Sequence, residues 1–264
     1  MRTSLIISTY NWPEALELVL KSVLLQSVLV DEVIIADDGS SETTRLIVEK
    51  YINTTKNPIY HIWHKDVGFR KTKILNKAFL ACSGDYVIQI DGDIILHKNF
   101  IKDHIKNAEE NRFIHGGRVF LSQKITLERF KTKEINFHFF NYGITNRINT
   151  IYSPFLSNFF NYKSIKLSKT RGCNFSCWKK DFIMVNGYNE DMLGWGFEDS
   201  ELSVRLINKG LFKKRLKFSA LTYHLYHQNK SKSDISRNAN ILQNSVDKQS
   251  VTCENGINNY TDVF

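Results

Sequence analysis

The sequence predicts an α/β fold with a mostly parallel central sheet flanked by helices, and three stretches carry that prediction. Ser4–Tyr10, Val33–Ala36 and Tyr86–Ile90 are short apolar runs rich in Ile and Val. Each is continuous rather than alternating, as in strands covered on both faces. Segments with helical spacing of apolar residues separate them, so the simplest assembly is a series of right-handed βαβ units. Two of the runs end in paired acids, Asp37-Asp38 and Asp91-Gly92-Asp93. In an open α/β sheet the carboxyl ends of the strands are where ligands bind.

Composition narrows the class. With 264 residues, 42% hydrophobic and 12% aromatic, the chain builds one globular core, and only three prolines argue against long linkers. No run approaches the roughly 18 apolar residues of a membrane span, and the N-terminus enters a strand pattern without a signal-peptide pattern, so the expected location is the cytoplasm. Cys82, Cys173, Cys177 and Cys253 form no paired CxxC framework and read as reduced, mostly buried thiols. The net charge of +9 favours an anionic partner: a nucleotide, an anionic lipid surface or nucleic acid. The abundance of Lys, Asn and Ile is that of an AT-rich bacterial genome.

Taken in order, Ser4–Tyr10 is a strand, and Pro13 opens a helix whose apolar residues recur through Val23 and Leu24. Val33–Ala36 is the second strand. It ends in Asp37-Asp38-Gly39-Ser40, and Ser40 or Ser41 can cap the helix that follows. Asp38 is then free at the sheet edge, able to accept a hydrogen bond from a base or ribose. His61–His64 reads as a shorter strand with edge histidines. Gly68 to Lys73 is a basic loop leading into a helix, where Arg70 and Lys73 beside free N–H groups make a pyrophosphate clamp or, more plainly, a solvated basic face. Tyr86–Ile90 then delivers Asp91 and Asp93. Two carboxylates at the edge of an apolar core repel unless a cation lies between them, and oxygen ligands of that kind suit Mg²⁺ or Mn²⁺. An ordinary polar turn is the bland alternative for Asp-Gly-Asp.

Downstream, His97–Asn107 reads as a helix and Ile114–Phe120 as a strand whose glycines let backbone approach a sugar. Ile135 to Lys180 contains no acid but mixes Phe137, Phe139, Phe140, Tyr142, Phe155, Phe159, Phe160 and Tyr162 with Arg147, Lys163, Lys166 and Lys169. Such a stretch is either an insertion packed on the core or a surface for an anionic membrane or lipid-linked acceptor. Nucleic acid is disfavoured, for lack of any RNP-type or helix-turn-helix pattern. Gly194-Trp195-Gly196 brings backbone and an indole face to a ligand, and sugars stack on such faces. A helix over Ser200–Leu211 puts Glu198 and Asp199 at its N-terminus, where acids also serve as simple caps. Phe218–Thr222 reads as a strand ending in Tyr223-His224-Leu225-Tyr226-His227. On an extended segment the two histidines face opposite sides, so one of them reaches a metal, with His227 preferred and His224 the alternative. Gln228–Phe264 is a polar tail or lid with a helical patch near Ile241 and Val246.

Ser8-Thr9-Tyr10-Asn11, Asp37-Asp38-Gly39-Ser40, Gly68-Phe69-Arg70 and Asp91-Gly92-Asp93, in this order and spacing, resemble the N-terminal half of a family 2 glycosyltransferase of the GT-A fold. Gly194-Trp195-Gly196-Phe197-Glu198-Asp199 is similar to the G-W-G-x-E-D element of its galactosyl- and N-acetylgalactosaminyltransferase-like members. The resemblance covers roughly Met1 to His227 with a gap at Leu121–Lys169. It implies a nucleotide-sugar-binding half over 1–120, a variable aromatic and basic insertion over 121–170, an acceptor and catalytic half over 171–227, and a tail over 228–264. It puts Thr9, Tyr10, Asn11, Asp38, Arg70, Lys73, Asp91, Gly92, Trp195 and Gly196 on a UDP-sugar. Mn²⁺ or Mg²⁺ falls to Asp91, Asp93 and a histidine after the last strand, the catalytic base to Asp199 and sugar or acceptor binding to Glu198. Many members carry an arginine before the asparagine of the basic helix, where this chain has Leu75 before Asn76. The implied reaction is metal-dependent, inverting transfer of galactose or N-acetylgalactosamine from UDP to a glycan or lipid-linked acceptor in bacterial surface polysaccharide or lipopolysaccharide synthesis, by an enzyme peripheral on the cytoplasmic face of the inner membrane. A nucleotidyltransferase of related fold would need a Gly-rich, Lys- or Arg-bearing phosphate loop after the first strand, which is absent. A basic nucleic-acid-binding protein has no use for acids at strand ends. A non-catalytic sugar-binding relative would not retain Asp91, Asp93 and Asp199.

Overall fold

The computed structural model describes residues 1–165, 170–228 and 234–263. Three successive βαβ units open the chain: β1 (Thr3–Thr9), α1 (Pro13–Leu24), β2 (Glu32–Asp37), α2 (Glu42–Thr54), β3 (Ile59–Trp63), α3 (Lys71–Ala81) and β4 (Tyr86–Asp91). β5 (Ile94–Leu96), α4 (Phe100–Asn107), β6 (Arg112–Gly116), β7 (Val119–Phe120), α5 (Gln123–Thr132), α6 (Pro154–Phe160) and β8 (Tyr162–Ser164) follow. The last part comprises β9 (Phe175–Trp178), α7 (Lys179–Met184), α8 (Glu198–Asn208), β10 (Phe212–Leu216), β11 (Thr222–His224) and α9 (Ile235–Asp247).

Eight strands form the main sheet in the order β3-β2-β1-β4-β9-β6-β10-β8, and β5-β11-β7 make a small second sheet. The first four strands are parallel, whereas β9 runs antiparallel to both β4 and β6. The strands that read as continuous apolar runs are buried along nearly their whole length, with Leu5, Ile7, Val33, Ile35, Ile88 and Ile90 on one face and Ile6, Ile34 and Val87 on the other. At about 25 cal/mol per Å² of apolar area, burial on both faces makes this half the stable frame of the molecule.

Several readings are corrected. Ile114–Phe120 is two strands in two sheets, because the chain bends at Gly116-Gly117 and leaves the main sheet. The last strand is Thr222–His224 rather than Phe218–Thr222; Phe218 and Ala220 have positive φ, outside the β region. β10, Phe-Lys-Lys-Arg-Leu, which no apolar run announces, lies inside the sheet between β6 and β8. Lys214 donates to Glu109 at 2.7 Å, which offsets the cost of burying its charge. In the aromatic insertion Phe137 packs in a third core cluster with Tyr223 and Leu225, while Phe140, Phe155 and Phe159 are exposed. Lys166 and Lys169 lie outside the described residues.

α8, whose first turn carries Glu198 and Asp199, is pinned from inside. Arg205 is fully buried and donates to Glu201 through Nε at 2.8 Å and Nη2 at 2.7 Å. Ser245 of α9 also donates to Glu201, at 3.0 Å. α9 therefore packs against α8 instead of lying loose, and its Asn238 donates to the carbonyls of Leu193 and Gly196 at 2.9 and 3.0 Å. Among the described residues no helix is long and apolar enough to cross a membrane. Arg205→Leu leaves Glu201 charged and buried without its partner; the expected loss is roughly 3–5 kcal/mol in urea unfolding, and Arg205→Leu/Glu201→Leu should recover most of it. A single variant as stable as the parent would contradict the assignment.

Candidate active site

The carboxyl ends of β1, β2 and β4 open into a cleft of about 1130 Å³ closed on its far side by the Gly194–Asp199 loop. β1 and β4 pair in parallel with Ser8 opposite Asp91. The Ser8 hydroxyl donates to Asp91 at 2.9 Å, and the Gly92 N–H donates to the Ser8 carbonyl at 2.7 Å. The acids after β4 are thus fixed by sheet register.

The two acids after β2 divide the work. Asp37 is fully buried; it accepts the Ser40 N–H at 2.8 Å and pairs with His61 at 2.9 Å, so it closes the turn. Asp38 lines the cleft. It is not free, as the sequence suggests, because it accepts the Arg70 N–H at 2.9 Å and pairs with His64 at 2.7 Å. Both partners leave further lone pairs on its oxygens for a base. Asn11 ties the first loop to the second: its N–H donates to Ser40 and its side chain accepts the Ser41 N–H, both at 2.8 Å. Tyr10 donates to Asp66 at 2.9 Å.

Asp93 sits with both histidines. His224 Nε2 is 3.6 Å and His227 Nε2 3.5 Å from Asp93 Oδ2, and the ligand atoms of the three residues lie within 4.8 Å of one another. The expectation that the histidines face opposite ways is corrected: β11 ends at His224, so strand alternation no longer governs His227. Asp93 Oδ1 is buried and has no hydrogen-bond partner among the described residues. Burial and the neighbouring Asp91 charge push the Asp93 carboxyl up to about 6. An orphaned carboxylate oxygen beside two imidazoles is a donor set that fits a divalent cation. Asp91 lies outside this group and is held instead by Ser8 and Lys71.

Across the cleft, Asp199 is partly buried in the first turn of α8. Tyr188 donates to it at 3.3 Å and to Gln89 of β4 at 3.0 Å, while Gln89 donates to the Gly172 carbonyl at 3.2 Å. Tyr188 is positioned in turn by Asn76, whose side chain accepts its N–H at 2.8 Å and donates to its carbonyl at 2.9 Å. A side chain at Gly172 would bring its Cβ within 2.3 Å of Asp199 Oδ1, so glycine is required there. Burial first, then the charge of Glu198, raises the Asp199 carboxyl to about 7, against the pull of Lys71. A carboxyl tuned to neutral pH is suited to general acid–base work.

Of the residues singled out in the sequence, Thr9, Tyr10, Asn11, Asp38, Asp91, Gly92, Asp93, Trp195, Gly196, Glu198, Asp199, His224 and His227 line this cleft; Arg70 and Lys73 do not. Lys71 lines it in their place. Residues 71 and 73 differ by about 200° around a helix, so only one of them faces the strand ends. Lys73 is exposed, and Arg70 contributes its backbone N–H. Lys71 donates to Asp91 at 2.8 Å and lies 3.7 Å from Glu198. Burial disfavours its charge, but Asp91, Asp199 and Glu198 together hold its pKa well above the usual lysine value. Arg118 also reaches the cleft. Lys71, Tyr188 and Gln89 carry no local signal in the sequence that marks them as site residues.

Comparisons with known proteins agree with this geometry. The sequence model described as "Glycosyl transferase family 2" matches residues 4–168, and that described as "N-terminal domain of galactosyltransferase" matches residues 156–228. Chondroitin synthase of Escherichia coli is 26% identical over 242 residues, 84% of this chain and 34% of that protein, so the chain spans about a third of the relative's length. Among solved structures, Staphylococcus aureus TarS 1-349 in complex with UDP has a TM-score of 0.61 at 18% identity, covering 92% of this chain and 64% of the other. GalNAc-T7 with UDP, GalNAc and Mn²⁺ has a TM-score of 0.66 at 14% identity, covering 92% of this chain and 48% of the other. These two likenesses extend the GT-A fold to nearly the whole chain. With a family match that spans more than half its length, the chain belongs to glycosyl transferase family 2.

Proposed function

We propose that the protein is a metal-dependent inverting glycosyltransferase that moves galactose or N-acetylgalactosamine from a UDP-sugar to a hydroxyl of a glycan or lipid-linked acceptor. Bacterial surface polysaccharide or lipopolysaccharide synthesis is the setting we assign to it. The observation that carries the reading is Asp199: a partly buried carboxyl raised to about 7, facing the same cleft as the Asp93, His224 and His227 group. Asp38 accepts a hydrogen bond from the base. Trp195, half-exposed on the cleft wall, offers its face to the sugar. Glu198 holds a sugar or acceptor hydroxyl, and Asp199 takes the acceptor proton as that oxygen attacks the anomeric carbon. The bond to the diphosphate breaks on the opposite face, with its electron pair leaving on UDP, so configuration inverts. A divalent cation held by Asp93, His224 and His227 would neutralise charge developing on the leaving diphosphate. Two nitrogen ligands favour a transition ion such as Mn²⁺ over Mg²⁺. The match of residues 156–228 to the galactosyltransferase domain supports a galactose-type donor.

Asp199→Asn should cut turnover by roughly 10²- to 10⁴-fold while UDP binding, measured by calorimetry with Mn²⁺, stays near that of the parent. The same substitution makes a stability prediction with a definite sign. A carboxyl whose pKa is raised on folding destabilises the protein increasingly as pH rises from its unfolded value, roughly 4, to its folded value near 7. Asn removes that cost, so the melting temperature of the variant relative to the parent should be higher at pH 8 than at pH 4.5. Near-normal turnover, or a pH-independent difference, would sink the assignment of Asp199.

We also assign membrane contact to the surface around α6. Phe155 and Phe159, one turn apart, are 70% and 71% exposed, with Lys217 lying 5.2 Å from the Phe160 ring centre. Exposed aromatics set among cations suit an anionic bilayer surface. The protein should sediment with vesicles containing phosphatidylglycerol and not with phosphatidylcholine alone. Phe155→Ser/Phe159→Ser should lose that binding; unchanged sedimentation would refute the surface.

A further inference from the structure

The transfer described above leaves the cation at the centre of the cleft without a role. Lys71 is the first residue of α3, and its ammonium reaches between the end of β4 and the start of α8, 2.8 Å from Asp91 Oδ1 and 3.7 Å from Glu198 Oε1. One partly buried cation thus serves acids from two separate elements. From Asp38 at the end of β2 to the Asp93 group after β4, the strand ends run past Asp91, and Lys71 stands over it. An ammonium has three donors, and Asp91 and Glu198 engage at most two. Asp91 keeps the Ser8 hydroxyl when Lys71 turns away.

Resting on the donor assignment above, we propose that Lys71 is a diphosphate-binding residue that holds Asp91 and Glu198 in place before the donor arrives and transfers its ammonium to a phosphate oxygen when it does. A diphosphate brings more negative charge than Glu198 alone, so the exchange runs toward the donor, and Glu198 is released to the sugar or acceptor only once the donor is seated. Arrival of the donor and readiness of the acid pair are thereby coupled through one side chain, which acts as a point charge and needs no fixed hydrogen-bond fork.

The test is calorimetry of UDP and of uridine binding, in EDTA and with Mn²⁺, on the parent, Lys71→Met and Lys71→Arg. Lys71→Met should weaken UDP by roughly 10- to 100-fold in both conditions, leave uridine within about twofold, and Lys71→Arg should keep most of the UDP affinity. Because Met leaves Asp91 and Glu198 facing one another, Lys71→Met/Glu198→Gln controls for folding: it should recover the melting temperature and keep the UDP defect. Recovery of UDP affinity in that double variant would show that Lys71 only neutralises the acids, and would overturn the proposal. Equal losses for UDP and uridine would overturn it as well. A parent protein that binds neither ligand would overturn the donor assignment, and the role of Lys71 with it.

Discussion

Four carboxylates share one cleft, and keeping them there is the constraint on which the rest of the structure depends. Asp91, Asp93, Glu198 and Asp199 would repel one another and the core around them were each not given a different environment. Asp91 is held by Lys71 and Ser8, which keep its carboxyl below the usual range despite burial. Asp93 faces two imidazoles, with one oxygen lacking any hydrogen-bond partner among the described residues. Asp199, with the Tyr188 hydroxyl and the Gly172 backbone around it, is pushed up toward neutrality. Unequal environments turn one cluster of acids into groups with distinct chemistry.

The fold provides these environments by bringing distant segments to one sheet end. Register between β1 and β4 sets Ser8 against Asp91. The antiparallel pairing of β5 with β11, and the Leu225 N–H 3.0 Å from the Asp93 carbonyl, bring the histidines alongside Asp93. On the other wall, the buried Arg205–Glu201 pair and α9 fix α8, so the first turn with Glu198 and Asp199 does not drift. Phe197, at φ 72°, ends the Gly194-Trp195-Gly196 loop in a strained backbone state that turns the chain into α8.

What the sequence disclosed follows from the range of the interactions. Strands buried on both faces announce themselves as apolar runs, and acids at their ends stand out against that background, so β1, β2 and β4 and the place of Asp38, Asp91 and Asp93 at their ends were legible. Lys213 and Lys214 hid β10, because a buried lysine partnered by a residue more than a hundred positions away looks the same in sequence as a solvated one. Lys71 was overshadowed by Arg70 and Lys73 since spacing alone does not tell which face of α3 meets the strand ends. The Tyr188–Gln89–Gly172 contacts on Asp199 join three segments and have no local signature. The two histidines after β11 were separated on the assumption that extended geometry persists beyond the strand, and it stops at His224.

In the proposed function the strand-end acids and the α8 acids form a single site, with a cation and a diphosphate between Asp38 and the histidines. The most direct measurement is a crystal structure with Mn²⁺ and UDP, with the ion located by its anomalous scattering. One strong peak is expected within bonding distance of Asp93, His224 and His227, with uracil at Asp38. A peak elsewhere, or UDP bound away from the β1, β2 and β4 ends, would contradict it.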